Sequence, residues 1–243
     1  MNVRATADFS TWDTQRTWIT QTGQRPYVKA INNGVDRIDF FFTNCHPNEG
    51  ASSVYHCYMQ LDAGVEKFYK SDGTYIGTGP VTPADATLIY DGSSVDSWVW
   101  DITRGADGHP RVLFARFPST TDHRYMFSRW TGSAWTTPVE ITTAGPYLYA
   151  AEANYSGGIC FDAADPDTVY LSKQVGSVWE LSEWATVDSG ATWSKVRDID
   201  NGVSSRNCRP FSPRNHNGEL AVVWWRGTYT SYTSYSTSIW GAG

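Results

Sequence analysis

Thr186-Val187-Asp188-Ser189-Gly190-Ala191-Thr192-Trp193 is the stretch that decides how this chain folds. It interrupts strand-like sequence, with Trp184 before it and Lys195-Val196 after it. An Asp in a tight turn accepts hydrogen bonds from the turn's own amides, Gly supplies positive φ, and the following aromatic ring covers the apolar side. Weaker versions occur at Ser128-Arg129-Trp130-Thr131-Gly132-Ser133-Ala134-Trp135, Ser71-Asp72-Gly73-Thr74-Tyr75 and Thr6-Ala7-Asp8-Phe9-Ser10-Thr11-Trp12. The four starting residues are separated, in chain order, by 65, 57 and 58 residues. Such a period marks a repeat architecture.

Between the turns the sequence reads as short strands. The first unit offers Tyr27–Ile31, Arg37–Thr43, Val54–Gln60 and Glu66–Lys70, and the second Trp98–Thr103, Arg111–Phe117, Arg124–Trp130 and Ala134–Ile141. The third offers Gly158–Phe161, Thr168–Lys173, Val178–Val187 and Thr192–Ile199, and the last Cys208–Ser212, Glu219–Arg226 and Tyr232–Ile239. None keeps an apolar period of 3.6 over three turns, so helix competes poorly. Four-stranded antiparallel units at this spacing predict an all-β fold, a β-propeller spanning residues 1–243 as one domain. The count is four blades, with five as the alternative. Val3–Ala7, or Arg16–Thr20 beside it, is expected to complete the three-stranded C-terminal blade and protect its edge.

Composition narrows the function. The 243 residues carry a formal charge of −6, which argues against a nucleic-acid binder, and no apolar run approaches a membrane span. Met1–Thr11 lacks the features of a signal peptide. An extracellular or particle-surface location is the expectation, with no cofactor and no metal. Aromatics make up 15% of the chain, including 12 Trp, more than a core of this size needs.

In a propeller the ends of second strands, the starts of third strands and the starts of first strands share one face. That rule collects His46, His56, Arg116, His123, Lys173 and Arg226, with Arg25, Trp98, Tyr155, Arg206 and Arg209. Cations and aromatics on one face of an acidic protein suit an anionic polysaccharide, because rings stack on pyranoses and Arg forks bind carboxylate or sulfate. Read as a hairpin, Cys45–Cys57 sets Cys45 opposite Cys57 and His46 opposite His56 on the other side of the ribbon. The histidines then suit acid–base or charge-neutralising work, and the cysteines either form a disulfide or stay buried and reduced. Strand alternation opposes a zinc site using both. Asp101, Glu152 and Asp8 are the best-placed acids, but no spacing singles out a hydrolytic pair. Asp101 reads equally as a cap on a neighbouring strand.

Several segments carry a family resemblance: Arg25-Pro26-Tyr27-Val28-Lys29, Asn33-Gly34-Val35-Asp36-Arg37-Ile38, Cys45-His46-Pro47 with Tyr55-His56, Val99-Trp100-Asp101-Ile102, and Asp122-His123-Arg124-Tyr125. They resemble sialidase-superfamily proteins with Asp-box (BNR) repeats, a group that includes the propeller-type ulvan lyases. The resemblance runs from about Arg25 to the C-terminus. It implies β-elimination on uronate-containing polysaccharide, with His46, His56 and Arg116 as the catalytic histidines and arginine. Substrate contacts are expected from Arg25, Trp98, Trp100, His123, Tyr125, Tyr155, Lys173 and Arg209. The family's tyrosine, which serves as base and acid, is replaced upstream of Arg116 by Trp98 and Trp100; Tyr125 and Tyr155 are the substitutes. A non-catalytic glycan-binding propeller and a structural blade assembly are the alternatives.

Overall fold

Asp188 builds its turn by local chemistry. Its Oδ1 accepts from the Thr192 amide at 2.8 Å and its Oδ2 from the Thr192 hydroxyl at 2.6 Å, while Thr186 Oγ1 accepts from the Gly190 amide at 2.8 Å. Asp8 repeats the pattern with Thr11 N at 2.8 Å and Thr11 Oγ1 at 2.6 Å. Asp72 accepts from Thr74 N, and Thr131 takes the hub position with its hydroxyl. In each turn the residue after the hub is left-handed: Phe9 at φ 58°, Gly73 at 87°, Gly132 at 95° and Ser189 at 59°. Glycine is thus not required there, since in two turns the side-chain hydrogen bonds hold a non-glycine residue in that conformation.

The computed structural model describes residues 1–201, 205–231 and 233–243. A two-stranded ribbon, β1 (Asn2–Val3) with β2 (Arg16–Thr17), precedes four sheets. The first blade runs β3 (Tyr27–Asn32), β4 (Arg37–Thr43), β5 (Val54–Asp62) and β6 (Val65–Tyr69) outward to β7 (Tyr75–Gly77), with β8 (Thr87–Tyr90) on the free half of β5. The second is β9 (Ser97–Arg104), β10 (Pro110–Ser119), β11 (Asp122–Arg129) and β12 (Val139–Gly145). The third is β13 (Ile159–Phe161), β14 (Thr168–Val175), β15 (Val178–Ala185) and β16 (Ser194–Asp200). The last has three strands, β17 (Arg206–Phe211), β18 (Val222–Ser231) and β19 (Ser234–Ala242); Tyr232, from which the sequence starts that final strand, lies outside the described residues.

All strand pairs within the blades are antiparallel, and the first strands lie side by side in the order β3, β9, β13, β17. This is the radial order of propeller blades. One apolar core fills each gap: Phe41, Ile89, Val99 and Phe114 between blades 1 and 2, Leu113, Tyr125, Phe127, Ile159 and Phe161 between blades 2 and 3, and Tyr170, Leu181, Val222 and Trp224 between blades 3 and 4.

One sequence expectation is corrected. The N-terminal strands do not complete the last blade. They pair with each other, and the segment after them packs on blade 1, where Ile19 bridges Val81 and Arg16 and Trp18 both bond Glu66. Burial of Ile19 and Trp18 against Phe40 and Phe68 selects that site.

The turn aromatics clamp neighbouring blades. Trp193 stands edge-on to Phe127 at 5.3 Å, and a Cβ added at Gly190 (φ 88°) would come within 2.0 Å of Phe127 Cε1. Trp135 likewise packs on Phe41 at 5.5 Å and on His56 at 5.2 Å in blade 1. Gly190→Ala therefore combines overpacking with a left-handed backbone, and we expect it to destabilise the protein by roughly 2–4 kcal/mol. A urea midpoint unchanged from the parent contradicts this clamp.

Candidate active site: an aromatic and cationic mouth

The first strands begin at one end of the propeller, and their opening residues meet there. Tyr27, at the head of β3, lies 5.0 Å from Trp98 and 5.6 Å from His46 by ring centroids, and His46 lies 4.7 Å from Trp98. Trp98 reaches Tyr155 at 5.9 Å, and Tyr155 continues to Tyr149 at 5.6 Å and so to Tyr229 at 5.2 Å. A cavity of about 150 Å³ opens among them, lined by Lys29, Trp98, Val99, Trp100, Tyr155 and Arg209. Blades 1, 2 and 4 and the connection between blades 2 and 3 thus each contribute a side chain to one mouth.

Arg209 is its most constrained member. A register shift between Cys208 and Phe211 breaks the β17 ladder, and Arg209 sits in the break at φ 57°. The backbone of blade 3 comes up close behind it: the Arg209 amide donates to Gly157 O at 2.6 Å, and a Cβ at Gly158 (φ 112°) would lie 3.2 Å from Arg209 Cα. Its guanidinium is thereby laid over Tyr155 at 3.9 Å and over Trp100 at 4.7 Å. Nη2 is buried without a hydrogen-bond partner. A left-handed non-glycine residue with a buried charged nitrogen that lacks a hydrogen-bond partner is a costly arrangement.

His46 occupies the rim opposite. Its Nδ1 accepts the Asn48 amide at 3.1 Å, so in the neutral ring Nε2 carries the proton, which faces Glu152 Oε1 at 3.6 Å. Asn48 Nδ2 also donates to Glu152, at 2.6 Å. His46 is therefore a hydrogen-bond donor at the mouth. Arg25 is exposed over Tyr27 at 6.0 Å, and Trp100 Nε1 donates to Ser156. Arg206 braces the 148–155 loop by donating to Leu148 O and Tyr229 O.

Other residues expected at the site lie elsewhere. Thr43 pairs with Val54 and Phe41 with His56, so His46 and His56 are not opposite each other and Cys57 faces Phe40. The reason is the 44–53 loop, which Asn44 closes through Ser53 N and Ala51 O before the hairpin can zip further. His56 is wholly buried between blades, with Nδ1 2.8 Å from Ser71 Oγ and Nε2 3.0 Å from Asp39 Oδ1. Trp135 Nε1 donates to that same Ser71 oxygen, so the Ser71 proton goes to Nδ1 and the His56 proton to Asp39. Burial pushes the His56 pKa down, partly opposed by Asp39. All four cysteines are buried and free, so the disulfide reading is set aside.

Arg116 points at Tyr90, bonding its hydroxyl at 3.1 Å, rather than at the mouth. Tyr125 is fully buried, donating to Ser172 O and accepting from Gly158 N, and burial raises its pKa. Lys173 bonds Thr142 Oγ1 between blades 2 and 3, and Arg226 pairs with Asp200. Asp101 takes the capping role, accepting from Phe161 N at 2.9 Å, and Asp8 serves its own turn. Sequence reasoning passed over Tyr27, Lys29, Tyr149 and Tyr229. The first two stand at the head of β3, the position that singles out Trp98 on β9, so the same rule applied to β3 reaches Tyr27.

Residues 3–141 match a family model described as a BNR repeat-containing family member. The chain belongs to that family. A comparison with curated proteins finds no match for this BNR-repeat protein. Among solved structures, an ulvan lyase of a new polysaccharide lyase family, bound to -[GlcA(1-4)Rha3S]-, aligns with a TM-score of 0.71 at 12% identity, covering 99% of this chain and 58% of its own. A mutant of the NanB sialidase from Streptococcus pneumoniae aligns at 0.52 and 13% identity, covering 94% and 32%. The endo-arabinase from Bacteroides thetaiotaomicron aligns at 0.51 and 14% identity, covering 100% and 85%. These likenesses show the propeller fold, and this chain spans 58% of the lyase's length.

His123 supports the mouth from below. It is wholly buried against Phe117, its Nε2 donates to Ala153 O at 2.9 Å, and burial pushes its pKa down to about 4. Between pH 6.5 and 4 the unfolded chain takes up a proton here that the folded chain refuses. Stability is therefore full above pH 6.5 and falls as the pH drops, by roughly 3 kcal/mol from this group. His123→Gln keeps a donor for Ala153 but not the titration. Its unfolding free energy should lose about one proton of slope across that window, and an identical slope in both proteins contradicts the assignment.

Proposed function

We propose that this BNR-repeat protein binds an anionic, uronate-containing polysaccharide in the Tyr27–Trp98–Tyr155–Arg209 mouth and acts on it as a polysaccharide lyase, by β-elimination. The observation that carries the reading is Arg209, strained at φ 57° with a buried, unpartnered Nη2 beside a cavity walled by Trp98, Trp100 and Tyr155. Aromatic faces take pyranose rings, and the guanidinium takes a carboxylate in bidentate fashion. Lys29 adds a second cation to the cavity wall. The glycan fragment bound to the lyase neighbour, which contains a uronate, supports this class. A substrate of that kind puts the protein outside the cell or on a particle surface.

Elimination starts at the carbon bearing the uronate carboxylate. Pairing that carboxylate with Arg209 stabilises the charge that develops when the adjacent C–H is broken. Tyr155, under the guanidinium, is the hydroxyl assigned to proton movement, and His46 is placed to donate through Nε2 rather than to act as base. The leaving oxygen takes a proton as the C–O bond breaks and the unsaturated sugar forms. A second reading, glycan binding without turnover, draws on the engagement of His56 and Arg116 in contacts between strands and blades instead of at the mouth.

Incubation with ulvan and other uronate polysaccharides, following absorbance of the unsaturated product and binding in parallel, separates the two. Arg209→Gly removes the cation while relieving a left-handed cost of about 1 kcal/mol, so the melting temperature should change little. Affinity should fall about tenfold or more, the loss of a charge-assisted pair. Binding without product supports the second reading. Undiminished binding by Arg209→Gly contradicts the proposed site.

A further inference from the structure

We infer that Ser71, His56 and Asp39 form a second reactive centre, in which Ser71 Oγ is a nucleophile toward a small carboxylic ester bound between blades 1 and 2. Three successive stretches of blade 1 supply it: Asp39 lies on β4, His56 on β5 and Ser71 just past β6. Ser71 Oγ is 2.8 Å from His56 Nδ1, and His56 Nε2 is 3.0 Å from Asp39 Oδ1. The Trp135 indole fills an acceptor position on Oγ, so the hydroxyl proton points to a neutral imidazole and the imidazole proton to a carboxylate. A nucleophile, a base within hydrogen-bond reach and a third group that orients the base are recognised by geometry and role, not by sequence position. The backbone fixes all three. His56 pairs with Thr87 across the β5–β8 ladder, and Thr87 Oγ1 accepts the Ser71 amide at 2.9 Å. Arg37 and Arg104 both donate to Asp39, which favours its charged form.

An open end separates this array from a strut between blades. Asp39 and His56 have no exposed surface, whereas Ser71 keeps 7% of its own and lines a cavity of about 470 Å³. Leu88, Trp130 and Trp135 give that cavity apolar walls, and Thr87 and Thr136 add hydroxyls. Among the described residues Asp72 is the one charged group in the lining, which disfavours an anion and leaves a neutral ester as the fitting substrate. The cavity shares no lining residue with the Arg209 mouth, so the inference does not rest on the lyase reading. In the reaction Oγ adds to the ester carbonyl carbon while its proton passes to His56 Nδ1. The bond to the alkoxy oxygen then breaks, the alcohol leaves with that proton, and the acyl group stays on Ser71. Water adds next, giving a proton to Nδ1, and the carboxylic acid departs as Oγ takes the proton back. Trp135 Nε1, 2.8 Å from Oγ, is the donor at hand for the oxygen that becomes negative.

The test treats the full 243-residue protein with a fluorophosphonate, which phosphonylates an activated serine with loss of fluoride, and locates the adduct by peptide mass spectrometry. Hydrolysis of p-nitrophenyl acetate is followed in parallel. The expected result is an adduct on Ser71 that disappears when the protein is first unfolded in urea, because the reactivity belongs to the folded array. Ser71→Ala, shown to be folded by circular dichroism, should release p-nitrophenol about 100-fold or more slowly than the parent. A purely structural Ser71 gives neither result. The adduct is read on the parent protein, so it decides the question even where Ser71→Ala does not fold. A native protein whose Ser71 stays unmodified, an adduct spread over other serines, or undiminished hydrolysis by folded Ser71→Ala overturns the inference.

Discussion

The contact of each blade with the one before it is the constraint on which the rest depends. Arg209 belongs to the last blade, Tyr155 to the segment that leads into the third, Trp100 to the second and Tyr27 to the first, so the mouth exists only if three gaps are filled at fixed spacing. Apolar cores fill those gaps, and polar contacts set the angle. Asp39 is the clearest case. It accepts from Arg37 on its own strand, from Arg104 of blade 2 and from His56, which continues through Ser71 to the Trp135 indole of blade 2. Burial works against its charge, yet the His56 and Arg37 hydrogen bonds hold its pKa below the usual carboxylate value. A buried hydrogen-bond network of this kind, in which only Arg104 Nε lacks a partner, specifies one arrangement more sharply than apolar packing does alone.

That division of labour explains where the histidines went. His56 and His123 serve as neutral, buried connectors, while His46, held outside the β4–β5 ladder by its loop, stays at the mouth. The cations divide the same way. Arg111, Arg116, Arg226 and Lys173 are spent on contacts between blades or strands, and Arg25, Lys29 and Arg209 remain beside aromatic rings at the opening. The acidic net charge of the chain therefore says little about the local charge at the site.

Much of the architecture was legible because it rests on local chemistry. Asp turns, alternating strands and a period of about sixty residues are properties of short stretches, and the first-strand rule found Trp98, Tyr155 and Arg209. The misplacements share a different origin. Whether His56 faces His46 depends on how many residues the 44–53 loop withholds from the hairpin, and a change of one residue in register turns a side chain to the other face. The β11–β12 ladder shifts between His123 and Arg124, and the β10–β9 ladder shifts at Trp100. Bulges of this kind re-aim side chains without a strong mark in the sequence. The N-terminal segment was misplaced because Ile19 and Trp18 cover Phe40 and Phe68 of blade 1, a long-range burial that no local stretch of sequence marks.

The most direct test of the central claim is a crystal structure of the protein with a uronate oligosaccharide bound. The account predicts the carboxylate on the Arg209 guanidinium at hydrogen-bond distance, with a sugar ring against Trp98 or Tyr155. An oligosaccharide seated instead at Arg116 and Tyr90, with the Arg209 cavity empty, contradicts it.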